Sequence, residues 1–281
     1  FFSTPIPSFA EQGRIVDFVR SRTARIDALV AKKGRLIELL EEKRAALITR
    51  AVTKGLDPKV PMKDSGVEWL GEIPAHWETA KTWRICKAIS GGTPAKEERG
   101  YWGGDIPWVS PKDMKRRFIQ SSGDTVTERA VVETGLKLIA PPIVLIVVRG
   151  MILAHTFPVA ITTAPVTVNQ DMKALELRRD LESTFTAWLL DGLGRAILGV
   201  VVEEAAHGTR VIRMDQWRSL TLPLPPTADQ RAIADFVDCE TARIDALVAR
   251  VREAIERLKE LRTALISAAV TGRIDVRDSS A

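Results

Sequence analysis

Apolar side chains return at alternating steps of three and four along two stretches of this chain. After Thr23 they fall at Ile26, Leu29/Val30, Leu36/Ile37, Leu40, Leu47 and Ala51, with Lys33 and Lys43/Arg44 interrupting the stripe. After Thr241 they fall at Ile244, Leu247/Val248, Val251, Ala254/Ile255, Leu258, Leu261/Arg262, Leu265 and Ala269. That spacing predicts a long helix in each stretch, with one heptad-like apolar stripe. A shorter helix is expected before each, over about residues 10–19 and 228–237. Each follows a Pro-x-Pro opening that favours extended backbone. Gly55 and Gly272 stand near the ends, where helix C-caps are expected.

The two stretches are copies of each other. Shifting the chain by 218 aligns residues 5–57 with 223–275 without a gap, at 29 identities in 53 positions. Thr23-Ala-Arg-Ile-Asp-Ala-Leu-Val-Ala31 recurs unchanged at 241–249. A helix with one apolar stripe needs a partner, and the nearest is its own copy, most simply antiparallel. From Thr23 to Thr53 such a rod would run roughly 46 Å at 1.5 Å per residue. The periodicity alone fits a plain stalk. It also fits a spacer whose two copies show one face to one kind of partner. Ile26, Leu29, Leu40 and Leu47, with Ile244, Leu247, Leu258 and Leu265, are the candidate partner-binding positions.

Between the copies the pattern changes. All seven tryptophans lie there, and Gly91-Gly-Thr-Pro94, Gly103-Gly-Asp105 and Pro107 mark turns. Strand-like runs are 143–148, 152–154, 159–162, 166–168 and 200–202, and 185–198 reads as a helix. The fold class expected is α+β: a mixed α/β globular domain at 58–222, with antiparallel coiled-coil-like helices from 1–57 and 223–281. Trp102 and Trp108, among glycines and prolines, are placed nearest a surface loop.

Composition narrows the chemistry. At 281 residues, 45% hydrophobic and 27% charged, the chain can bury a core and is not a disordered tail. Two cysteines and three histidines, scattered, exclude a disulfide scaffold and a Cys/His zinc site. The longest apolar run, 138–148, is too short and too proline-broken for a membrane span, and no signal peptide is visible. Net charge is +5, divided as +4 for 1–57, +2 for 58–222 and −1 for 223–281. Any nucleic-acid surface on the middle domain is therefore a local patch.

Catalytic motifs are missing. There is no phosphate-binding Gly-x-x-x-x-Gly-Lys loop and no dinucleotide fingerprint after a strand. Ala140-Pro-Pro-Ile143 lacks the amide or carboxylate and the ring that base methylation needs. Asp171-Met-Lys173 fits a nuclease pattern only as chance would. Binding remains. Lys112, Lys115, Arg116 and Arg117 form a basic run beside Trp108 and Ser110, suited to phosphates or guanine edges. Asn169 and Gln170 are amides of the kind that read adenine. Thr209 and Arg210, after His207, lie on a polar loop before the second copy. The alternatives stay open: a solvated charged loop for the first, and a buried turn-forming amide for the second.

These residues resemble the DNA-specificity subunit of type I restriction–modification systems. The phrases that carry the resemblance are Met62-Lys-Asp-Ser-Gly-Val-Glu-Trp-Leu-Gly-Glu-Ile-Pro-Ala-His-Trp77, Gly91-Gly-Thr-Pro94, Tyr101-Trp-Gly-Gly-Asp-Ile-Pro-Trp-Val-Ser-Pro-Lys-Asp-Met114, Asn169-Gln-Asp-Met-Lys-Ala-Leu175 and the repeat itself. The family alternates two target-recognition domains with two conserved helical regions. This chain has one such domain between two helical regions and does not begin with Met. It is expected to be the carboxy-terminal half of a subunit or a half-length form, the latter pairing as a homodimer. The resemblance implies double-stranded DNA as ligand, with half of a bipartite site read by the domain and the gap set by the helices. It implies no catalysis and no cofactor in this chain. Modification subunits that use S-adenosylmethionine would methylate adenine, and a restriction subunit would complete the complex. The compartment expected is the cytoplasm, with no membrane partner. The rival reading is a helical scaffold without base recognition.

Overall fold

The computed structural model describes residues 6–205 and 208–276. Pro5 and His207 lie outside the described residues. In chain order the elements are α1 (Phe9–Lys54), β1 (Met62–Asp64), β2 (Glu72–Pro74), β3 (Glu78–Lys81), α2 (Thr82–Ile85), β4 (Cys86–Ser90), β5 (Trp102–Val109), β6 (Phe118–Ile119), β7 (Asp124–Val126), α3 (Glu128–Thr134) and β8 (Val144–Val147). There follow β9 (Arg149–Gly150), β10 (Val159–Thr162), β11 (Thr167–Val168), β12 (Met172–Leu177), α4 (Ser183–Gly192), α5 (Gly194–Val201), β13 (Val202–Glu204), β14 (Arg210–Ile212), α6 (Met214–Ser219), β15 (Thr221–Leu224) and α7 (Thr227–Val270). They divide into two units. One holds the chain up to Arg44 and from Glu240 on, and the other holds Ala45–Cys239. The helix ends 45–57 and 223–239, assigned to the arms from sequence, therefore belong with the globular unit.

Each copy of the repeat is one helix, not a short helix followed by a long one. Thr23 was the expected start of the second. Its hydroxyl instead donates back to Val19 O at 2.8 Å, the bond of a threonine inside a helix. In the helical unit α1 and α7 run antiparallel, as three ion pairs show. Asp27 meets Arg262 at 2.9 Å, Glu41 meets Arg252 at 3.1 Å and Arg44 meets Asp245 at 3.1 Å. Among the shielded positions, 26, 30, 33, 37 and 40 on α1 and 244, 248, 251, 255 and 258 on α7 form matching stripes. The steps are four, three, four, three on both.

The globular unit is built on a five-stranded sheet of order β4-β12-β8-β10-β6. All its pairs are antiparallel except β10 with β6. Strand β8 (Val-Leu-Ile-Val) is buried along its whole length, as a central strand with both faces covered must be. Helix α4 packs on β8 and β10. The end of α1 (Ile48, Ala51, Val52) and the start of α7 (Ile233, Ala234, Val237) join the same core. A second sheet has the order β11-β5-β7 and a third β13-β14-β9. No single helix among the described residues is long and apolar enough to cross a membrane.

Several expectations are corrected. The helix read over 185–198 is two helices bent by 70° at Leu193. A methyl group on Gly192 would lie 2.9 Å from Ile48 Cγ2, so the glycine lets α1 close onto α4. Residues 152–154 form a 3-10 turn rather than a strand, and 200–202 span the end of α5 and the start of β13. Strand β5, read as turns, keeps its pairing with β7 by a register shift between Trp102 and Ile106. That irregularity absorbs Gly103 and Gly104.

Candidate nucleic-acid interface

The candidate residues sit on loops that strand register gathers at one end of the globular unit. Strands β5 and β11 are parallel, with Val109 opposite Val168, so the loops after them leave together. Asn169 N donates to Val109 O at 2.9 Å, tying loop 169–171 to the start of loop 110–117. The latter enters β6 at that end, where Ile161 N donates to Arg117 O at 2.7 Å. Asp171 O accepts from Val148 N at 2.8 Å and Arg149 N at 3.3 Å, which brings in β9. Across the third sheet Arg210 pairs with Gly150. On the other side Ser90 lies opposite Lys173, and Gly92 N donates to Val168 O at 3.0 Å.

Three stretches of the sequence reading, 108–117, 169–170 and 209–210, thus come to one edge. They do not play one role there. Trp108 is buried, packs edge-on against Trp102 with centroids 5.2 Å apart, and donates to Gly92 O at 2.9 Å. It is not the surface-loop residue expected, because β5 carries it under the Gly91 loop. Ser110 is buried and donates to Asp113 Oδ2 at 2.8 Å, closing the turn 111–113. Asn169 is buried, and its Oδ1 accepts from Asp171 N at 3.1 Å. The turn-forming reading of that amide is the one the geometry supports.

Arg117 turns inward. Its guanidinium lies 3.2 Å from the centroid of the Trp188 ring, and Nη1 is 3.8 Å from Asp191 Oδ2. Its neighbours face out. Lys112 Nζ donates to Asp124 Oδ2 at 2.6 Å, and that bond holds the ammonium protonated beyond the ordinary lysine range. Lys115, Arg116 and Arg149 are exposed and make no ion pair among the described residues. Arg210 pairs with Glu204 at 3.4 Å, and Thr209 O accepts from Ala205 N at 2.7 Å within the β13–β14 hairpin. Gln170 is exposed beside buried Asn169.

Sequence reading missed Ser90, Thr93, Arg149 and Lys173. Thr93 donates to Gln170 Oε1, and Lys173 Nζ donates to Ser90 Oγ at 2.6 Å. Partial burial pulls the Lys173 ammonium below its ordinary range. The lysine of Asp171-Met-Lys173 is thereby engaged with the end of β4. The available signal was Gly91-Gly92, read as a turn and as part of a phrase of the family resemblance. A methyl group on Gly91 would lie 1.8 Å from Val168 O, so these loops approach as only glycine allows. Among the described residues no group of three or more His, Cys, Asp or Glu is placed to hold a metal.

The partner-binding positions also divide. Ile26 and Ile244 are buried, and Leu40, Leu258 and Leu265 are partly buried. Leu47 packs against the core of the globular unit. Leu29 and Leu247, equivalent under the repeat, are each 48% exposed. The sequence grouped each with the valine that follows it. The register gives the shielded position to Val30 and Val248 and turns the two leucines outward.

Residues 74–257 match the model of the type I restriction modification DNA specificity domain. The specificity subunit of the type I restriction enzyme EcoR124I/EcoR124II of Escherichia coli is 34% identical over 211 residues, which are 73% of this chain and 48% of that relative. The MjaIX specificity subunit of Methanocaldococcus jannaschii is 26% identical over 170 residues, 59% of this chain and 38% of the relative. The chain spans about half the length of these relatives. Among solved structures, one from work on assembly and conformational transition of the type I R-M system superimposes with TM-score 0.74 at 19% identity, covering 96% of this chain and 61% of that one. The HsdS subunit from Thermoanaerobacter tengcongensis gives 0.57 at 20%, covering 96% and 60%.

Proposed function

Because this chain belongs to the type I restriction–modification DNA specificity family, we propose that its globular unit reads one half of a split site in double-stranded DNA. The observation that carries this is the gathering of loops 91–95, 110–117 and 169–171 with strand β9 at one end of the sheets. Hydrogen bonds hold them there, and Lys115, Arg116 and Arg149 are free to meet phosphates. Phosphate contacts fix register, and side chains at base edges supply sequence.

In this reading the chain performs no chemistry. Modification subunits carrying S-adenosylmethionine methylate adenine, and a restriction subunit joins them, in the cytoplasm. Leu29 and Leu247 give the modification subunits two equivalent outward contacts on the helices. The repeat supports a second reader as well. At the start of α7, Gln230, Ile233 and Val237 are buried. Their equivalents Gln12, Ile15 and Val19 at the start of α1 are exposed or only partly covered. That face fits a second domain of the same kind, from a longer polypeptide or from a second copy in a homodimer.

The test is exchange of residues 58–222 for the matching segment of a relative, followed by sequencing of methylated bases. One half of the methylated motif is expected to change while the other half stays. An unchanged motif would return the chain to the rival reading, a helical scaffold.

A further inference from the structure

We propose that Gln170 is a base-reading residue of the interface, that it takes the adenine of an A·T pair through the major groove, and that Thr93 positions it. This rests on the proposed function and makes it specific to one side chain.

Gln170 stands exposed in the β11–β12 loop between buried Asn169 and half-buried Asp171. The backbone on either side cannot drift, because Asn169 N is bonded to Val109 O and Asp171 O to Val148 N. The carboxamide is also held. Its Oε1 accepts from Thr93 Oγ1, and its Nε2 leans on Asp171 Oδ2 at 3.5 Å. An amide oxygen has two lone pairs and an amide nitrogen two protons, so each end keeps one position for a ligand. One acceptor beside one donor is the complement of adenine N6–H and N7.

Thr93 reaches the amide only because Gly91 lets its loop lie against Val168 O. That loop is fixed twice more, by Gly92 N on Val168 O at 3.0 Å and by Trp108 Nε1 on Gly92 O at 2.9 Å. An exposed glutamine normally loses rotamer freedom when it binds. Here much of that ordering is present beforehand, as a specificity residue requires. Lys115 and Arg116 have no comparable anchor, which suits phosphate contacts and not base reading.

The experiment uses the whole polypeptide assembled with its modification partner. Binding is measured to duplexes in which each base pair of the site is changed in turn, for the unaltered protein and for Gln170→Ala, Gln170→Glu, Thr93→Val and Thr93→Ser. Thermal melting of each variant serves as the folding control. Gln170→Ala is expected to cut discrimination at one A·T pair by about 5- to 150-fold and to leave the other positions as they were. Thr93→Val should relax the same pair, and Thr93→Ser should restore it. Unchanged discrimination everywhere, equal loss on every duplex, or relaxation at a G·C pair would each overturn the assignment. The wider reading fails separately, if exchange of residues 58–222 leaves the methylated motif unchanged.

Discussion

Arg262 Nε lies 2.9 Å from Asp27 Oδ1, and the positions equivalent to these two under the repeat, Arg44 and Asp245, make the same contact at 3.1 Å. A shift of 218 turns one pair into the other, so the helical unit has local two-fold symmetry about a point near Arg35 and Glu253. Both pairs are partly exposed, and each is worth about 0.2–1 kcal/mol. Asp27→Arg should therefore destabilise the helix pair by an amount of that order. Adding Arg262→Asp should recover most of it. Urea denaturation of the two four-member cycles should give coupling energies that agree within about 0.5 kcal/mol. A coupling of zero at one pair beside a clear value at the other would break the symmetry.

The same symmetry separates shielded from outward leucine and isoleucine. Ile244 is buried, and Ile244→Ala should cost about 2 kcal/mol or more in chemical denaturation. Leu247 faces out, so Leu247→Ala should stay within about 0.5 kcal/mol. If Leu29 and Leu247 are docking contacts, Leu29→Asp with Leu247→Asp should weaken pull-down of the modification subunit while the melting temperature holds. Full assembly with that double variant would remove these leucines from the docking surface.

Copies of one sequence need not share an environment, which explains what sequence reading could and could not reach. The long helices were legible because 3.6-residue periodicity records a single buried face, and the repeat because 29 of 53 aligned positions are identical, whereas the continuity of each copy as one helix was not. Strand β8 was legible for a different reason, because a strand covered on both faces leaves an unbroken apolar run. Strands β4, β5 and β12 were not, since Trp-Gly-Gly-Asp-Ile-Pro in β5 carries turn residues that only a paired strand β7 can accommodate. In the interface, residue types picked out loops that the fold brings together but not the direction of each side chain. Arg116 and Arg117 are neighbours in one basic run, yet one faces out and the other lies on Trp188. That difference is decided by a ring 71 positions away, which no local pattern contains.

Gln230 and Gln12 give the contrast in one residue type. Gln230 Oε1 accepts from Glu182 N at 2.9 Å, and its Nε2 donates to Asp180 O at 3.0 Å and Pro225 O at 2.9 Å, all at the seat of α7 on the domain. Gln230→Ala leaves those backbone groups without their partner and should cost on the order of 3 kcal/mol. Gln12 is exposed, and among the described residues its side chain bonds only Pro7 O at 2.9 Å, so Gln12→Ala should cost less than about 0.5 kcal/mol. Equal losses in thermal melts of the two variants would mean that the start of α1 is seated as firmly as the start of α7.

The two cysteines report on the same fold. Burial pushes the Cys86 thiol up to about 11, whereas Cys239 is exposed on α7. Only the thiolate reacts with disulfide reagents. At pH 8 the native chain should therefore titrate one thiol quickly and the second only after denaturant is added. Two fast equivalents in the native state would show that β4 is open.

Salt dependence separates the arginines and lysines of the basic run. Each phosphate neutralised adds about 0.9 to the slope of log affinity against log salt. Lys115→Ala with Arg116→Ala should therefore lower that slope by about 1–2 and weaken all DNA sequences alike. Lys112→Ala removes a cation but also frees Asp124, so it should weaken binding even if Lys112 touches no phosphate. Arg117→Ala should behave differently from all three. Its guanidinium stacks on Trp188 and its side chain is 19% exposed, so the loss appears as about 1–2 kcal/mol of domain stability. The salt slope of the folded fraction should stay as it was. Filter binding from 50 to 200 mM salt, paired with thermal melts, reads both quantities. A reduced slope for Arg117→Ala at unchanged stability would show that this arginine leaves Trp188 to meet DNA.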